Sequence, residues 1–271
     1  MEVIVLKEKT AAEWLAAELI ADAVREKPVA VLGLATGRTM EPVYERLVRL
    51  HRDTGLDFSG VRTFNLDEYV GLPPTHEQSY RYYMNRLLFS RVNIRVENTH
   101  LPDGCASDLD AECVHYEQRI RDCGGIDLQL LGLGDDGHIG FNEPLSALMS
   151  RTRVKALSPK TIEQNGPLFG DPALMPRRAI TMGVGTILES RRCIVLVTGP
   201  RKAAILARAV EGPITSMISA TALQLHPRCV YIADESAAAY LNEAAYYRRI
   251  FASEPEWDKY RIRIAEGIYR E

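Results

Sequence analysis

The sequence predicts an α/β fold, a mostly parallel open sheet with helices on both faces. Three observations lead there. Short apolar runs alternate with longer amphipathic stretches along the chain, and a run that is apolar throughout marks a strand buried on both sides. Polar, glycine-bearing segments follow several of those runs, at the carboxyl ends of the strands where open α/β sheets bind their ligands. No internal repeat and no linker rich in Gly, Ser or Pro divides the 271 residues, so residues 1–251 read as one α/β catalytic domain. The charged, aromatic tail of residues 252–271 is either a docked helix or a loosely held end.

The elements follow in order. Residues 3–6 form a short strand. The sequence from Thr10 to Glu13 matches a capping box opening a helix, with Trp14, Leu15, Leu19, Ile20 and Val24 on one side. Residues 29–34 are a second buried strand, followed by a polar turn and a helix through Val43, Leu47 and Leu50. Residues 61–66 are a third strand, ending in Asp67 and Glu68. Asp108 caps a helix that stops at Gly124 and Gly125. Residues 126–131, 193–198 and 229–233 are further strands, and helices over 201–210 and 236–250 follow the last two.

Composition narrows the function classes. A net charge of -3 and 46% hydrophobic residues describe an ordinary globular protein, with no basic surface for nucleic acid or an anionic membrane. No apolar run approaches the roughly 18 residues of a membrane span, and charge arrives too early after Met1 for a signal peptide. Five cysteines, odd in number and with no CxxC pair, favour reduced thiols in a cytoplasmic protein over a disulfide frame or zinc site.

The most informative stretch is 132–143, GLGDDGHIGFNE. Glycines let the backbone turn sharply and let a ligand approach, while His138 exchanges protons near neutral pH with a flanking carboxylate to fix its tautomer. Asp135 and Asp136 are neighbours whose side chains diverge, so one of them faces His138. The alternative is a solvated turn. Residues 33–39, GLATGRT, join a strand to a helix. The amides and hydroxyls of Thr36, Gly37, Arg38 and Thr39 suit an anion such as phosphate, or else form a capped turn. Lys202, in GPRK at 199–202, adds a second positive group. Asp67 stands where a buried strand runs out. Partial desolvation there raises its pKa and strengthens it as a base toward a carbon acid, a helix cap being the alternative. Glu68, next on a strand of period two, points elsewhere. His226 reads as structural, and His51, His76, His100 and His115 as exposed.

Four segments together resemble the glucosamine-6-phosphate deaminase family: FNLDEYVGL at 64–72, GDDGHIGFNEP at 134–144, SRTRVK at 150–155 and TMGVGT at 181–186. The resemblance runs to about Ile250. It implies a Rossmann-like fold and a cofactor-independent isomerisation with deamination, turning glucosamine 6-phosphate and water into fructose 6-phosphate and ammonium. By the same resemblance His138 assists ring opening, Asp136 and Glu143 orient it, and Asp67 carries the proton from C2 to C1. No metal is implied. The phosphate side departs from the family. Residues 36–40 read TGRTM instead of TGGTP, and Pro167 stands where the family carries a phosphate-binding arginine. Proline donates nothing, so Arg38 is expected to supply the guanidinium from the opposite loop, with Lys202 retained. Some members are hexamers activated at a subunit interface by an acetylated amino-sugar phosphate. Ser146, Arg153 and Lys155 match positions used there, Tyr246 and Tyr247 being candidates for a tyrosine that completes the pocket.

Three alternatives compete. One is the same chemistry on another amino sugar or on a sugar without phosphate. A second is a 6-phosphogluconolactonase-like hydrolase, which needs no C2 base and so has no use for Asp67. The third is a non-catalytic sugar-phosphate sensor, against which the first strand, expected within a few residues of Met1, leaves no room for a helix-turn-helix module.

Overall fold

The computed structural model describes residues 1–270. Seven strands make one sheet, parallel throughout: β1 (Glu2–Leu6), β2 (Val31–Leu34), β3 (Arg62–Asn65), β5 (Thr99–His100), β6 (Leu128–Gly132), β9 (Cys193–Val197) and β10 (Cys229–Asp234). Their order across the sheet is β1-β10-β9-β6-β2-β3-β5. The central strands are buried on both faces, as their unbroken apolar runs require. Helices α1 (Lys9–Glu26), α2 (Glu41–Thr54), α3 (Tyr80–Leu87), α4 (Leu109–Asp122), α6 (Val184–Leu188) and α7 (Ala203–Glu211) surround it.

That strand order locates the crevice. From β2 the chain moves outward to β3 and β5, then returns to the other side of β2 with β6 and continues to β9 and β10, which pairs at the edge with β1, the first strand of the chain. The direction reverses between β2 and β6, and the loops leaving their carboxyl ends part there. Those loops are residues 35–40 and 133–143.

A second, three-stranded antiparallel sheet sits beside the first: β4 (Asp67–Tyr69), β8 (Arg178–Thr181) and β7 (Arg153–Ala156), in the order β4-β8-β7. Its own small core gathers Tyr69, Phe141, Leu157, Met175 and Ala179. Helix α5 (Pro159–Asn165) connects β7 toward β8.

Two expected elements differ. The capping box at Thr10 does not form: α1 starts at Lys9 after Glu8, no side chain caps it, and Glu13 instead pairs with Lys9 at 3.4 Å. The helix expected over 236–250 is a series of turns followed by α8 (Ala244–Ser253). Asp234 takes the N–H groups of Gly199 and Ala237 and the Ser236 hydroxyl, holding that turn. Asp108 does cap α4, accepting from Ala111 N at 2.9 Å.

The tail returns to the start of the chain. Within and before α9 (Asp258–Ala265), Trp257 and Tyr260 are buried. Trp257 Nε1 donates to Glu2 (3.1 Å), Tyr260 Oη to Asp22 (2.6 Å), and Arg263 pairs with the fully buried Glu18 at 2.8 Å while lying over the Trp14 ring. Glu18 also meets Arg46 of α2 at 3.3 Å, so its buried charge has partners, as a buried carboxylate must. Glu271 lies outside the described residues. No helix among the described residues is long and apolar enough to cross a membrane.

Candidate active site

The loop after β6 closes on itself. Gly134 N donates to the His138 carbonyl (2.9 Å) and Gly137 N to the Gly134 carbonyl (3.0 Å). Gly137 and Gly140 hold positive φ, +86° and +56°, conformations that side chains with a Cβ rarely take. The glycines also clear space. A Cβ on Gly134 would lie 2.4 Å from the His138 ring, and one on Gly140 would lie 3.3 Å from Asp67 Oδ2. The turn therefore seats the imidazole against Gly134 and brings Gly140 against the carboxyl of Asp67.

Three groups meet at His138. Nδ1 is 2.6 Å from Asp136 Oδ1 and 3.6 Å from Glu143 Oε2. Burial by itself would raise the Asp136 carboxyl, but the hydrogen bond and charge of His138 outweigh it and bring it down to about 2. Glu143 is buried and held by α5, its Oε1 accepting from Thr161 Oγ1 (2.6 Å) and Ser158 N (3.1 Å). Its other oxygen has no hydrogen-bond partner and faces the imidazole. The divergence of the two neighbouring acids is complete: Asp136 takes the histidine, and Asp135 pairs with Lys202 Nζ, which also donates to the Leu133 carbonyl at 2.7 Å.

The donor atoms of Asp136, His138 and Glu143 lie within 4.8 Å of one another, so a metal ion could be held there. The 2.6 Å contact is hydrogen-bond spacing, however. Ligands about 2.0–2.1 Å from a tetrahedral zinc stand roughly 3.3 Å apart.

Asp67 sits at the start of β4, opposite Thr181 of β8. It is buried, and that burial together with the nearby Glu68 charge pushes its carboxyl up to about 8, the Phe141 backbone N–H drawing it only partly back. Thr181 Oγ1 accepts from Phe141 N at 3.0 Å, tying the 139–141 turn to the strand that carries the acid. Glu68 points the other way, as its place on a strand requires. It accepts from Tyr69, Tyr80 and Arg81 backbone N–H groups at 2.9–3.0 Å, closing the start of α3.

On the β2 side, Thr36 and Thr39 are partly buried, while Gly37 and Arg38 are exposed. Tyr83 Oη donates to the Gly37 carbonyl (2.8 Å) and Tyr80 Oη reaches Thr36, so α3 braces the loop. Tyr80 also stacks on Phe141, 6.0 Å between ring centres, linking this loop to the histidine segment. Among the described residues Arg38 forms no ion pair. Pro167 lies in the turn after α5.

Ser146 lies in the loop before β7, and Arg153 and Lys155 lie on β7 itself. Arg153 Nη1 donates to Asn142 Oδ1 at 2.9 Å, beside Glu143. Arg153 Nη2 and Ser146 Oγ are both buried without a partner. Tyr247 is held by Glu211 of α7 at 3.1 Å. His226 is buried against the Ser190 carbonyl, and His100 is stacked on Phe64 rather than exposed. The residues that sequence reasoning passed over are Thr181, Tyr80 and Lys160. Thr181 lay within a quoted motif, but nothing in the spacing announced its hydrogen bond to Phe141.

Fold and site define an α/β enzyme with an imidazole and carboxyl groups gathered at the switch point of a parallel sheet. The chain belongs to the family described as glucosamine-6-phosphate isomerases/6-phosphogluconolactonase, whose model matches residues 7–231. It is similar to the glucosamine-6-phosphate deaminase of Arthrobacter sp. (strain FB24), 48% identical over 257 residues, covering 95% of this chain and 99% of that one. Glucosamine-6-phosphate deaminase 2 of Giardia intestinalis is 50% identical over 239 residues, with 88% and 91% covered. Among solved structures, a monomeric glucosamine-6-phosphate deaminase superposes with a TM-score of 0.87 at 41% identity, over 89% of this chain and all of that one. The 6-phosphogluconolactonase of Trypanosoma cruzi shares the fold, with a TM-score of 0.70 at 20% identity over 89% of this chain and 97% of the other.

Proposed function

We infer that this chain converts glucosamine 6-phosphate and water into fructose 6-phosphate and ammonium. The observation that carries the reading is a buried carboxyl, Asp67, against the same glycine turn that seats an imidazole between two carboxylates. A hydrolase opening a lactone has work for the imidazole and none for Asp67. His138 takes the proton of the C1 hydroxyl and returns one to the ring oxygen as the pyranose opens. Asp136 and Glu143 support its charged form. Asp67 removes the C2 proton while the substrate ammonium gives one to O1, leaving an enolamine; Asp67 then delivers its proton to C1 as the freed nitrogen lone pair forms the C2 iminium. Water adds at C2 and nitrogen leaves as ammonium. Each proton transfer contributes roughly 10²–10⁴-fold. A coupled assay of the purified protein for fructose 6-phosphate and ammonium tests the reading; absence of both products from glucosamine 6-phosphate would end it.

For the phosphate we propose Thr36, Gly37, Arg38, Thr39 and Lys202, from the loops after β2 and β9. Arg38→Ala is expected to raise KM for the phosphorylated substrate by one to two orders of magnitude, about 1.5–3 kcal/mol for a charge-assisted contact. An unchanged KM would retire Arg38. Ser146, Arg153 and Lys155 are our candidates for a second phosphorylated sugar that regulates turnover, supported by the two buried donors without partners. Self-association would then matter, though the solved relative at 41% identity is described as monomeric. A cytoplasmic setting, with free thiols and an internal metabolite as substrate, completes the reading.

A further inference from the structure

Three cationic heads face the single carboxylate of Asp135. Lys202 Nζ binds that carboxylate directly. Arg201 and Lys160 are near enough that their charges help Lys202 hold the Asp135 carboxyl low against the opposing effect of burial. Lys160 Nζ donates to the Asp135 backbone carbonyl at 3.0 Å, and a carbonyl dipole leaves its charge uncancelled. Among the described residues Lys160 forms no ion pair. Lys160 also lies near enough to Asp136 to help hold that carboxyl low, so three cationic heads stand beside two carboxylates at the mouth of the 134–138 turn.

A lone surface lysine is ordinarily a solvated group. Lys160 differs in how its backbone is fixed. Ser158 N and Thr161 Oγ1, on either side of it, both donate to Glu143 Oε1. The start of α5 is thus clamped to the carboxylate that faces His138, while the Lys160 side chain reaches the opposite shoulder of the same turn. It spans the rim of the acid–base site.

We propose that Lys160 is a specificity-determining residue, its ammonium binding the phosphate of the substrate together with Lys202 and Arg201. This rests on reading the substrate as an amino-sugar phosphate. Bound phosphate takes the place of the Asp135 carbonyl as the partner of Nζ, so the ammonium need only swing on its stem. Pro167, which has no donor to offer, leaves room at this rim for Lys160 to act alongside the proposed Arg38.

The test uses the full chain, Lys160→Met and Lys160→Arg, with two probes. Steady-state kinetics on glucosamine 6-phosphate should show KM at least tenfold higher in Lys160→Met with a smaller change in kcat, and KM within about threefold of wild type in Lys160→Arg. Calorimetry with inorganic phosphate should show its Kd raised by a similar factor in Lys160→Met, whether or not the protein turns over. Unchanged KM and phosphate Kd in Lys160→Met would overturn the proposal, as would phosphate failing to bind wild type at millimolar concentration. A fall in kcat at constant KM would also overturn it, marking Lys160 as a brace of the turn. Wild type that binds phosphate through Lys160 yet releases no ammonium would sink the functional reading and leave the phosphate role standing.

Discussion

Asp67→Asn is expected to bind glucosamine 6-phosphate and to turn it over at least about 10²-fold more slowly, since the variant keeps the shape of the site and loses its base. Near-normal turnover would remove Asp67 from the mechanism. The raised pKa gives this prediction a pH signature. A carboxyl pushed up to about 8 is largely protonated in the free protein at neutral pH, and only its ionised form abstracts a proton. Wild-type kcat/KM should therefore climb with pH toward about 8. The rising limb of kcat should lie lower, because a bound amino sugar carrying its ammonium puts positive charge beside the carboxylate and favours ionisation. Stability runs the other way. Between the ordinary value of 3.8 and about 8, the folded chain keeps a proton that the unfolded chain has released. Stability from this group is complete below the lower value and is lost as pH rises through the upper one. Asp67→Asn has no such loss, so its Tm relative to wild type should rise by several degrees between pH 5 and pH 8. A pH-independent Tm difference would place the folded carboxyl in its ordinary range.

His138→Gln is expected to lower kcat by about 10²–10⁴-fold, the contribution of one general acid–base group. Gly134→Ala makes the same point without touching the histidine. The added methyl would lie 2.4 Å from the His138 ring, a separation that no packing tolerates, while the backbone bond from Gly134 N to the His138 carbonyl pins the turn. The ring must leave its place. Turnover in Gly134→Ala should fall to within about tenfold of His138→Gln, and the double variant should lose little more, since both changes remove one function. Wild-type turnover in Gly134→Ala would mean that the imidazole does not act from the position described.

The carboxyl ends of β2, β3 and β6 were legible in the sequence because buried parallel strands read as unbroken apolar runs, and polar residues at their ends have nothing to do in a core. Asp67 and the 134–143 turn were found on that ground. So was the divergence of Asp135 from Asp136, which follows from adjacency alone. The β4-β8-β7 sheet was not anticipated. Its strands are three or four residues long, too short to show a period, and β4 pairs with β8 across more than a hundred residues of chain. The unformed capping box at Thr10 shows a local pattern losing to tertiary context: Glu13 is buried on α1 and takes Lys9 instead. Lys160 escaped notice because its meaning is positional. Nothing in the string around it signals that Ser158 and Thr161 grip Glu143.

The pairing of β1 with β10 sets a timetable for the chain's birth. Leu6 finds its neighbour only when Asp234 has been made, which at about 5–20 residues per second takes roughly 10–45 s. Through that interval the nascent amino-terminal strand has no hydrogen-bonding mate, and Trp14 and Glu18 await Tyr260 and Arg263. The ribosome therefore holds an amino-terminal segment whose apolar surface stays sticky until the last helix emerges, which makes this a chain for chaperones to shield early and release late.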